Sequence, residues 1–549
     1  MSTTMVFSQT GNTQHGNRGG CFPTTWPVDM ANTNRTNTVT RCGFPENFDT
    51  SQIAYSSLLL PFPVFSYSRD TGEVFVMGGC PLILYNYGGA IENGQPTAPA
   101  NSYSAQFSPY IAKINPRTLI LENINLTGGS AAAYIGGAII HSNGFIYAIA
   151  AGRLFKIRST PFQIVSSVDL PPSGFAQLTF FNGLSVSKTG RIIAKSYNQI
   201  TGQGSFFLLN QDNLSIVCQT SAAMASPRLT VDLHNNREFI YHLNREETYR
   251  LEVVNDTLIK DTGWMAAYDP YYDGSADEPT SPVISGNHVF YTTNTLYSAT
   301  RAMKLFWQDK NQQYSRDLDT LGGTFLHSDT TNPGWSFFHL TVDDTLSGII
   351  IGNDQGAGKI SAGVLDSNNT YHLLWEKSIQ TSARPAIVAD RNLVYVSDYA
   401  DGFDHLVVLH LQTGEELGRK KTLATKPTIG TIIITPDDYV IYASNEYGET
   451  NGYVHIFSAE DKTSNTPESA IEKPLCSVYP NPAKDAFYLN GITGKYDMQL
   501  IDTKGKVVLC YSGVEGVKKI DCGHLSAGLY FLITISQDKT QTQNRIVVK

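Results

Sequence analysis

The sequence predicts an all-β protein built from a repeated four-stranded unit and closed by a small β-sandwich. Three observations carry this. Tyr (29) and Phe (26) are plentiful beside abundant Gly (46), which suits pleated strands joined by tight turns. A unit of strand, turn, strand, polar loop and further strand recurs along most of the chain. No stretch shows the 3.6-residue apolar period of a helix. The chain has 549 residues, more than one core usually needs.

The repeat is clearest in 136–157, 281–300, 384–417 and 426–459, and weaker in 184–210, 227–253 and 338–365. The segment 62–85 opens the series. Aligned on the second strand, the copies place Tyr147, Ile192, Tyr241, Tyr291, Ile349, Tyr395 and Tyr442 in register, at steps of 45, 49, 50, 58, 46 and 47 residues. Steps of this size with four short strands are the mark of β-propeller blades. Phe75 lies 72 residues before Tyr147, room for one unit plus the polar insertion 86–106. Eight blades are expected over 24–459, with seven the alternative. The last copy lacks an outer strand, and IAYSSLLLP (53–61) is expected to supply it and close the ring.

The polar, proline-containing stretch 460–474 reads as a linker. Beyond it, 475–549 alternates apolar and polar residues at Phe487 and Leu489, at Tyr496, Met498 and Leu500, and at Leu529, Phe531, Ile533 and Ile535. That pattern predicts a sandwich of about seven strands.

Charge excludes some roles. Net charge is −9, so no nucleic-acid footprint is expected. No run of eighteen apolar residues exists, so no membrane span is expected. The N-terminal 1–23 is expected to hold a signal-peptide remnant, with Met5-Val6-Phe7 ending an apolar stretch and cleavage after Ser8. Seven cysteines occur without a CxxC pair. Cys21 with Cys42 and Cys510 with Cys522 are candidate disulfides for an exported chain.

The C-terminal module resembles the type A sorting domain of the type IX secretion system of Bacteroidetes. The resemblance rests on Tyr479-Pro480-Asn481-Pro482, on the hairpin 500–508 with Gly505, on Leu525, Gly528 and Tyr530 in an L-x-x-G-x-Y arrangement, and on the terminal 545–549 ending in Lys549. It implies export, engagement of the type IX machinery by the tail, and release or attachment at the cell surface. The segment 24–37, TTWPVDMANTNRTN, resembles the opening of propellers related to pyrroloquinoline-quinone repeat proteins. The T-G-E turns in 68–76 and 409–417 and Trp375 resemble that repeat. Quinoprotein dehydrogenases stack their cofactor on a vicinal Cys-Cys disulfide. This chain has no adjacent cysteines, so no quinone or other cofactor is expected.

Motifs for hydrolytic serine, zinc or phosphate-loop chemistry are missing from the sequence. Two acidic loops are candidate calcium ligands: Asp269, Asp273 and Asp277 in one, Asp398, Asp401 and Asp404 in the other. Tyr271 and Tyr272 are candidate sugar-stacking residues. His141, His234, His288 and His339 occupy similar places in four units, and a packing role is expected of them. HSDTTNPGW (327–335) is similar to a sialidase Asp-box, but no arginine triad is assignable from sequence. Asp-Thr-Leu at 256–258, 319–321 and 344–346 resembles Bacteroidetes O-glycosylation acceptors. The expected function is non-catalytic binding of a glycan or protein by a secreted or surface propeller. An exported polysaccharide hydrolase or lyase is the alternative, and a purely structural role a third.

Overall fold

The computed structural model describes residues 20–548 except 81–90, 93–94, 97–107, 130, 132–133, 175, 177–178, 199–200, 224–227, 245–246, 268–277, 295–301, 313–321, 331–335, 337–339, 382, 427, 447–450, 461–476, 480–482, 491–494, 503–506, 515–517 and 537–540. The chain divides into two compact units, Met1–Lys462 and Thr463–Lys549.

Among the described residues, the first unit forms eight sheets of four or five strands, numbered 1 to 8 along the chain, besides one two-stranded sheet; they are antiparallel except where Thr38–Val39 and Ala383–Arg384 add a parallel edge to two of them. Their first strands are Phe65–Ser68, Ile135–Ile140, Thr179–Val186, Thr230–His234, Val283–Ser285, Thr341–Val342, Ala386–Val388 and Thr428–Ile434. Each first strand packs beside that of the next sheet, and the eighth packs beside the first, so these strands form a closed ring. The unit is a β-propeller. The first strands line the ring axis, and the later strands of each sheet lie progressively farther out. Outer strands such as Phe162–Asp169 are mostly exposed, while Ile135–Ile140 is buried throughout.

The aligned tyrosines explain the repeat. Tyr147, Tyr241, Tyr291, Tyr395 and Tyr442 stand in second strands with no exposed surface. Each fills the wedge between neighbouring sheets, and buried phenols need polar partners. Tyr147 Oη donates to Gln211 O at 2.5 Å, and Tyr395 Oη accepts from Phe44 N at 2.7 Å.

Closure uses the segment singled out for it. Ala54–Pro61 pairs antiparallel with Asn451–Ser458, from Ala54 opposite Ser458 to Pro61 opposite Asn451. It completes sheet 8 from the other end of the propeller sequence and covers that sheet's edge. The insertion 86–106 lies between the second and third strands of sheet 1, and within it only two-residue strands at Ile91–Glu92 and Gln95–Pro96 are described.

Sheets 6 and 7 show how neighbouring sheets lock. Trp375, in the outer strand Tyr371–Ser378, donates from Nε1 to Leu411 O of sheet 7 at 2.9 Å. Its ring lies against Gly414, whose φ is +68° and where a Cβ would sit 2.7 Å from the indole. Glycine is required there by both conformation and space. Gly414→Ala is expected to destabilise the protein by about 1–3 kcal/mol, read from chemical unfolding; an unchanged midpoint would show that this contact does not hold the sheets together.

Sheets 3 and 4 meet at Glu238, which accepts from Lys188 N at 2.7 Å. Burial pushes the Glu238 carboxyl up to about 7, against the opposing pull of Lys188. A carboxyl whose folded value is raised favours folding least when ionised. Stability is therefore expected to fall as pH rises from the ordinary glutamate range towards 7, and to stay level above it. Glu238→Gln keeps an acceptor for Lys188 N and should remove that slope, gaining about 2 kcal/mol at pH 8. Unfolding of both proteins at pH 5 and pH 8 tests this.

The second unit has seven described strands in two sheets, one of three strands and one of four. Phe487, Met498, Leu500, Ile520, Leu532 and Ile546 form its core with no exposed surface. Tyr530 Oη donates to Ser526 O at 2.8 Å, and Leu525 packs on the core beside it. Gly528 opens the strand Gly528–Ser536, so these three motif residues shape one strand entrance.

Candidate functional site: a cationic cluster at the ring axis

The segment 24–39 is buried at every residue. It runs across the axis and is bonded to the inner strands on every side but one. Trp26 O accepts from Ser68 N of sheet 1 at 3.0 Å, and Pro27 O from Ile140 N of sheet 2 at 2.6 Å. Thr33, Asn34, Thr36 and Asn37 carbonyls accept from Val231, Ile284, Val342 and Ile387, in sheets 4, 5, 6 and 7, at 2.9–3.0 Å. Thr25 Oγ1 donates to Ile434 O of sheet 8 at 2.6 Å.

The residue types explain the path. Met30, Ala31, Arg35 and Asn37 have φ between 55° and 71°, a left-handed conformation that costs free energy in non-glycine residues. The Asn and Thr side chains stabilise the resulting coil locally. Asn32 Nδ2 donates to Thr36 Oγ1 at 2.7 Å, and Asn32 Oδ1 accepts from Thr36 N at 3.2 Å. Stitched to seven sheets, the coil forms a floor across the funnel.

On this floor stands a buried charge cluster. Asp29 Oδ2 accepts from Arg35 Nη2 at 3.1 Å, and Asp29 Oδ1 from Arg384 Nη1 at 2.9 Å. Arg228 Nη1 lies 3.6 Å from Asp29 Oδ2 and donates to Gly136 O at 2.8 Å. The Arg228 guanidinium also lies over the Phe65 ring, 4.3 Å from its centroid. Tyr67 Oη accepts from Ala138 N at 2.8 Å beside the cluster. Sheets 1, 4 and 7 thus reach the axis from three sides.

Three guanidiniums surround one carboxylate. Burial would raise the Asp29 carboxyl, but Arg384, Arg35 and Arg228 outweigh it and hold it far below the carboxylate range. Burial lowers Arg35 to about 10, with Arg384 and Arg228 adding to the effect and Asp29 opposing it.

Orientation follows from strand direction. Arg228 stands just before the inner strand of sheet 4, and Arg384 just before that of sheet 7. Both therefore lie at the face where the sheet-to-sheet connections run. Three aromatic rings lead along the same face. Tyr134 meets Phe180 edge-on at 5.6 Å, and Phe180 stacks on Tyr197 at 5.7 Å. Tyr134 and Tyr197 are largely buried, and the Tyr134 hydroxyl adjoins Arg228.

None of the described residues singled out from sequence as site candidates belongs to this cluster. Asp269, Tyr271, Tyr272, Asp273 and Asp277 fall outside the described residues, as do His339, Pro480, Asn481, Pro482, Gly505 and Lys549. Tyr479 ends the short strand Ser477–Tyr479. Asp398, Asp401 and Asp404 do not converge. Asp398 pairs with His405 and Tyr399 with Asp404 across the hairpin, so Asp398 and Asp404 point to opposite sheet faces. Asp398 accepts from Arg419 Nη1 at 2.7 Å and from Gln380 N at 3.0 Å, while Asp401 sits at the hairpin tip. Among the described residues, no group of three His, Cys, Asp or Glu is placed to hold a metal ion.

The three described histidines of the repeat lie apart from one another at the opposite face, and of these His141 is buried. His141 bonds Gly190 O at 2.8 Å, His234 adjoins Asn235, and His288 bonds Asn369 Oδ1 at 3.0 Å. His327, at the start of the Asp-box-like stretch, is buried between Asp354 and Glu376. Burial lowers it to about 4. The glycine-rich 352–358 comprises the end of the strand Ile350–Asp354 and the turn that leads to Lys359–Leu365. Of the Asp-Thr-Leu sites, 344–346 is a turn, 256–258 runs from a turn into the strand Thr257–Lys260, and the third lies outside the described residues.

The candidate disulfides are not formed. Cys21 bridges to His141 in sheet 2, whereas Cys42 lies buried beside Tyr395 of sheet 7. Cys510 is exposed on one sheet of the C-terminal unit, and Cys522 is buried next to the other.

The arginine cluster itself has no local signature, because 35, 228 and 384 are far apart in sequence. One signal was present. Arg228 and Arg384 both stand at the head of a repeat copy, each beside a proline, in PRLTV and RPAIV.

Comparison with known proteins agrees with this architecture. Residues 477–549 match the secretion system C-terminal sorting domain family. No curated protein matches the chain by sequence. In structure the chain is similar to the quinohemoprotein alcohol dehydrogenase from Comamonas testosteroni, with 11% identity, a TM-score of 0.53, and coverage of 84% of this chain and 83% of that one. It is also similar to the Dos1 propeller, with 10% identity, a TM-score of 0.44, and coverage of 73% and 95%. A third similar structure is the WD40 domain of SCAP from fission yeast, with 8% identity, a TM-score of 0.41, and coverage of 74% and 95%. The first of these shows a shared fold, the propeller. The C-terminal unit is a type IX sorting domain, and the protein is secreted or attached at the outer cell surface. Among the described residues no helix is long and apolar enough to cross a membrane.

Proposed function

We propose that this chain is a non-catalytic binding protein of the cell surface, taking a glycan or protein on the propeller face where the sheet-to-sheet connections run. The observation that carries this is the axis itself. Its floor is a stitched segment, and its charge is cationic around one neutralised carboxylate. Glycoside hydrolysis asks for two carboxyl groups flanking one bond, one of them ready to give up a proton. Three described carboxylates beside the inner strands are engaged by other groups. Asp29 is held by arginines, and Asp232 by Lys310 Nζ at 2.7 Å and Asn34 Nδ2 at 2.9 Å. Asp343 caps its own turn through Thr345 and Ser347.

The test is an array of polysaccharides and surface proteins probed with the purified full chain, with retention and new reducing ends read in the same wells. Retention without product is the expected result. Product release would overturn the reading in favour of an exported hydrolase or lyase.

A further inference from the structure

We propose that the cleft between sheets 4 and 5, on the face opposite the sheet-to-sheet connections, binds one neutral sugar residue through a vicinal pair of its hydroxyls. This is a second site, beyond the binding reading above and independent of it.

Open space is present. A cleft of about 230 Å³ lies there, with His234, Arg237, Arg250, Asp261, Asn311 and Gln312 in its wall. Pockets that enclose drug-sized molecules span about 300–1,000 Å³, so this one suits a smaller ligand such as a single sugar ring.

One ion pair in the wall is only half made. Arg153, Arg191, Arg237 and Arg419 each grip a carboxylate with both Nε and Nη2. Arg250 gives Asp261 only its Nε, which donates to Oδ2 at 2.7 Å. Asp261 Oδ1 accepts from Gly263 N at 3.1 Å instead. Arg250 Nη2 makes no hydrogen bond among the described residues. Side by side, a donor and an oxygen with a second lone pair are left with capacity. The donor is also held still. Arg250 Nη1 donates to Lys310 O at 3.0 Å and to Tyr241 Oη at 3.3 Å. The guanidinium lies 4.1 Å from the Phe239 ring centroid and 5.2 Å from that of Trp264. A group fixed in this way loses little freedom when a ligand arrives.

Charge selects the ligand class. Arg237, Arg250 and Lys310 are paired with Glu252, Asp261 and Asp232. The wall is therefore balanced, and an anion would meet the Asp261 carboxylate. A hydroxyl both donates and accepts. One hydroxyl accepting from Arg250 Nη2, with its ring neighbour donating to Asp261 Oδ1, satisfies both groups. The exposed amides of Asn311 and Gln312 offer the same pairing to further hydroxyls.

The experiment is saturation-transfer NMR on the full chain with the methyl glycosides of mannose, galactose and fucose. Tetrahydropyran-2-methanol, a similar ring without vicinal hydroxyls, is the comparison, and sodium sulfate the competitor. At least one glycoside is expected to give a signal, the comparison none, and sulfate is expected to displace nothing. Arg250→Lys, which loses the fork, is expected to weaken the bound glycoside at least about tenfold. Should that variant fail to fold, Gly263→Phe serves. A Cβ there meets nothing nearer than Asp261 Oδ1 at 3.5 Å, so the ring is expected to fill the cleft and abolish the signal. Silence from all three glycosides would overturn the proposal, as would equal binding of tetrahydropyran-2-methanol. Displacement by sulfate would overturn it in favour of an anion site. An unchanged signal in folded Arg250→Lys or in Gly263→Phe would place the sugar elsewhere and overturn it too. Retention in the array by Gly263→Phe at the wild-type level, with no glycoside signal from either protein, would overturn this site and leave the binding reading standing.

Discussion

Asp29→Ala is expected to destabilise the propeller by about 3–5 kcal/mol, the cost of leaving buried charges without their partner. Three guanidiniums converge on this one carboxylate, and all four residues are buried. The loss should exceed the value of any single bond, because mutual repulsion among Arg35, Arg228 and Arg384 is then unopposed. The double variant Asp29→Ala/Arg228→Met is accordingly expected to be less destabilised than Asp29→Ala alone, since one uncompensated charge leaves with its repulsion. The same geometry sets an acid profile. A carboxyl held far below its ordinary range stabilises the fold at all pH values above that range. That contribution fades only as pH falls below it, towards the depressed value. Wild-type protein should therefore lose stability below about pH 4 by a component that Asp29→Ala lacks. Chemical unfolding at pH 3 and pH 7 on the three proteins measures all of this. A single variant within about 1 kcal/mol of wild type would show the cluster to be solvated and not a buried network.

Removal of residues 463–549 is expected to abolish delivery to the cell surface while leaving the propeller folded. The tail matches the sorting domain family, and the chain divides between Lys462 and Thr463 into units with separate cores. Surface labelling and fractionation of cells expressing the full and shortened chains make the test. Circular dichroism of the purified shortened protein checks folding. Surface protein at undiminished level would mean that export does not depend on this domain. Tyr530→Phe is a milder probe. It removes one bond to Ser526 O and is expected to cost about 1 kcal/mol in the isolated balance of the small unit.

The arginine cluster also bears on how surface proteins of this architecture could acquire new ligands. The floor 24–39 is bonded to six sheets through its backbone and to sheet 8 through the Thr25 side chain. Arg228 and Arg384 project from positions that every unit possesses, the residues before an inner strand. Changing the residue at that position in another sheet would alter the axis without disturbing the ring.

Much of this architecture was legible in the residues because it depends on local or periodic signals. Buried residues of the aligned series, five of them tyrosines and two isoleucines, recur at 45 to 58 residue steps because each sheet presents the same wedge to its neighbour. The strand 54–61 could be paired with 451–458 by elimination, since a ring leaves one edge to be covered. The sorting tail is a run of contiguous motifs. The axial site was not legible in the same way. Asp29, Arg35, Arg228 and Arg384 are neighbours only because a ring brings the heads of sheets 4 and 7 within reach of one coil at its centre. Asp398 and Asp404 show the converse. Six residues apart in sequence, they are turned to opposite sheet faces by the two-residue alternation of a strand. The sequence by itself determined the repeat, the closure and the sorting tail, because those follow from local patterning of apolar and turn residues. Only the tertiary structure decided which charges meet, because that depends on closing the ring.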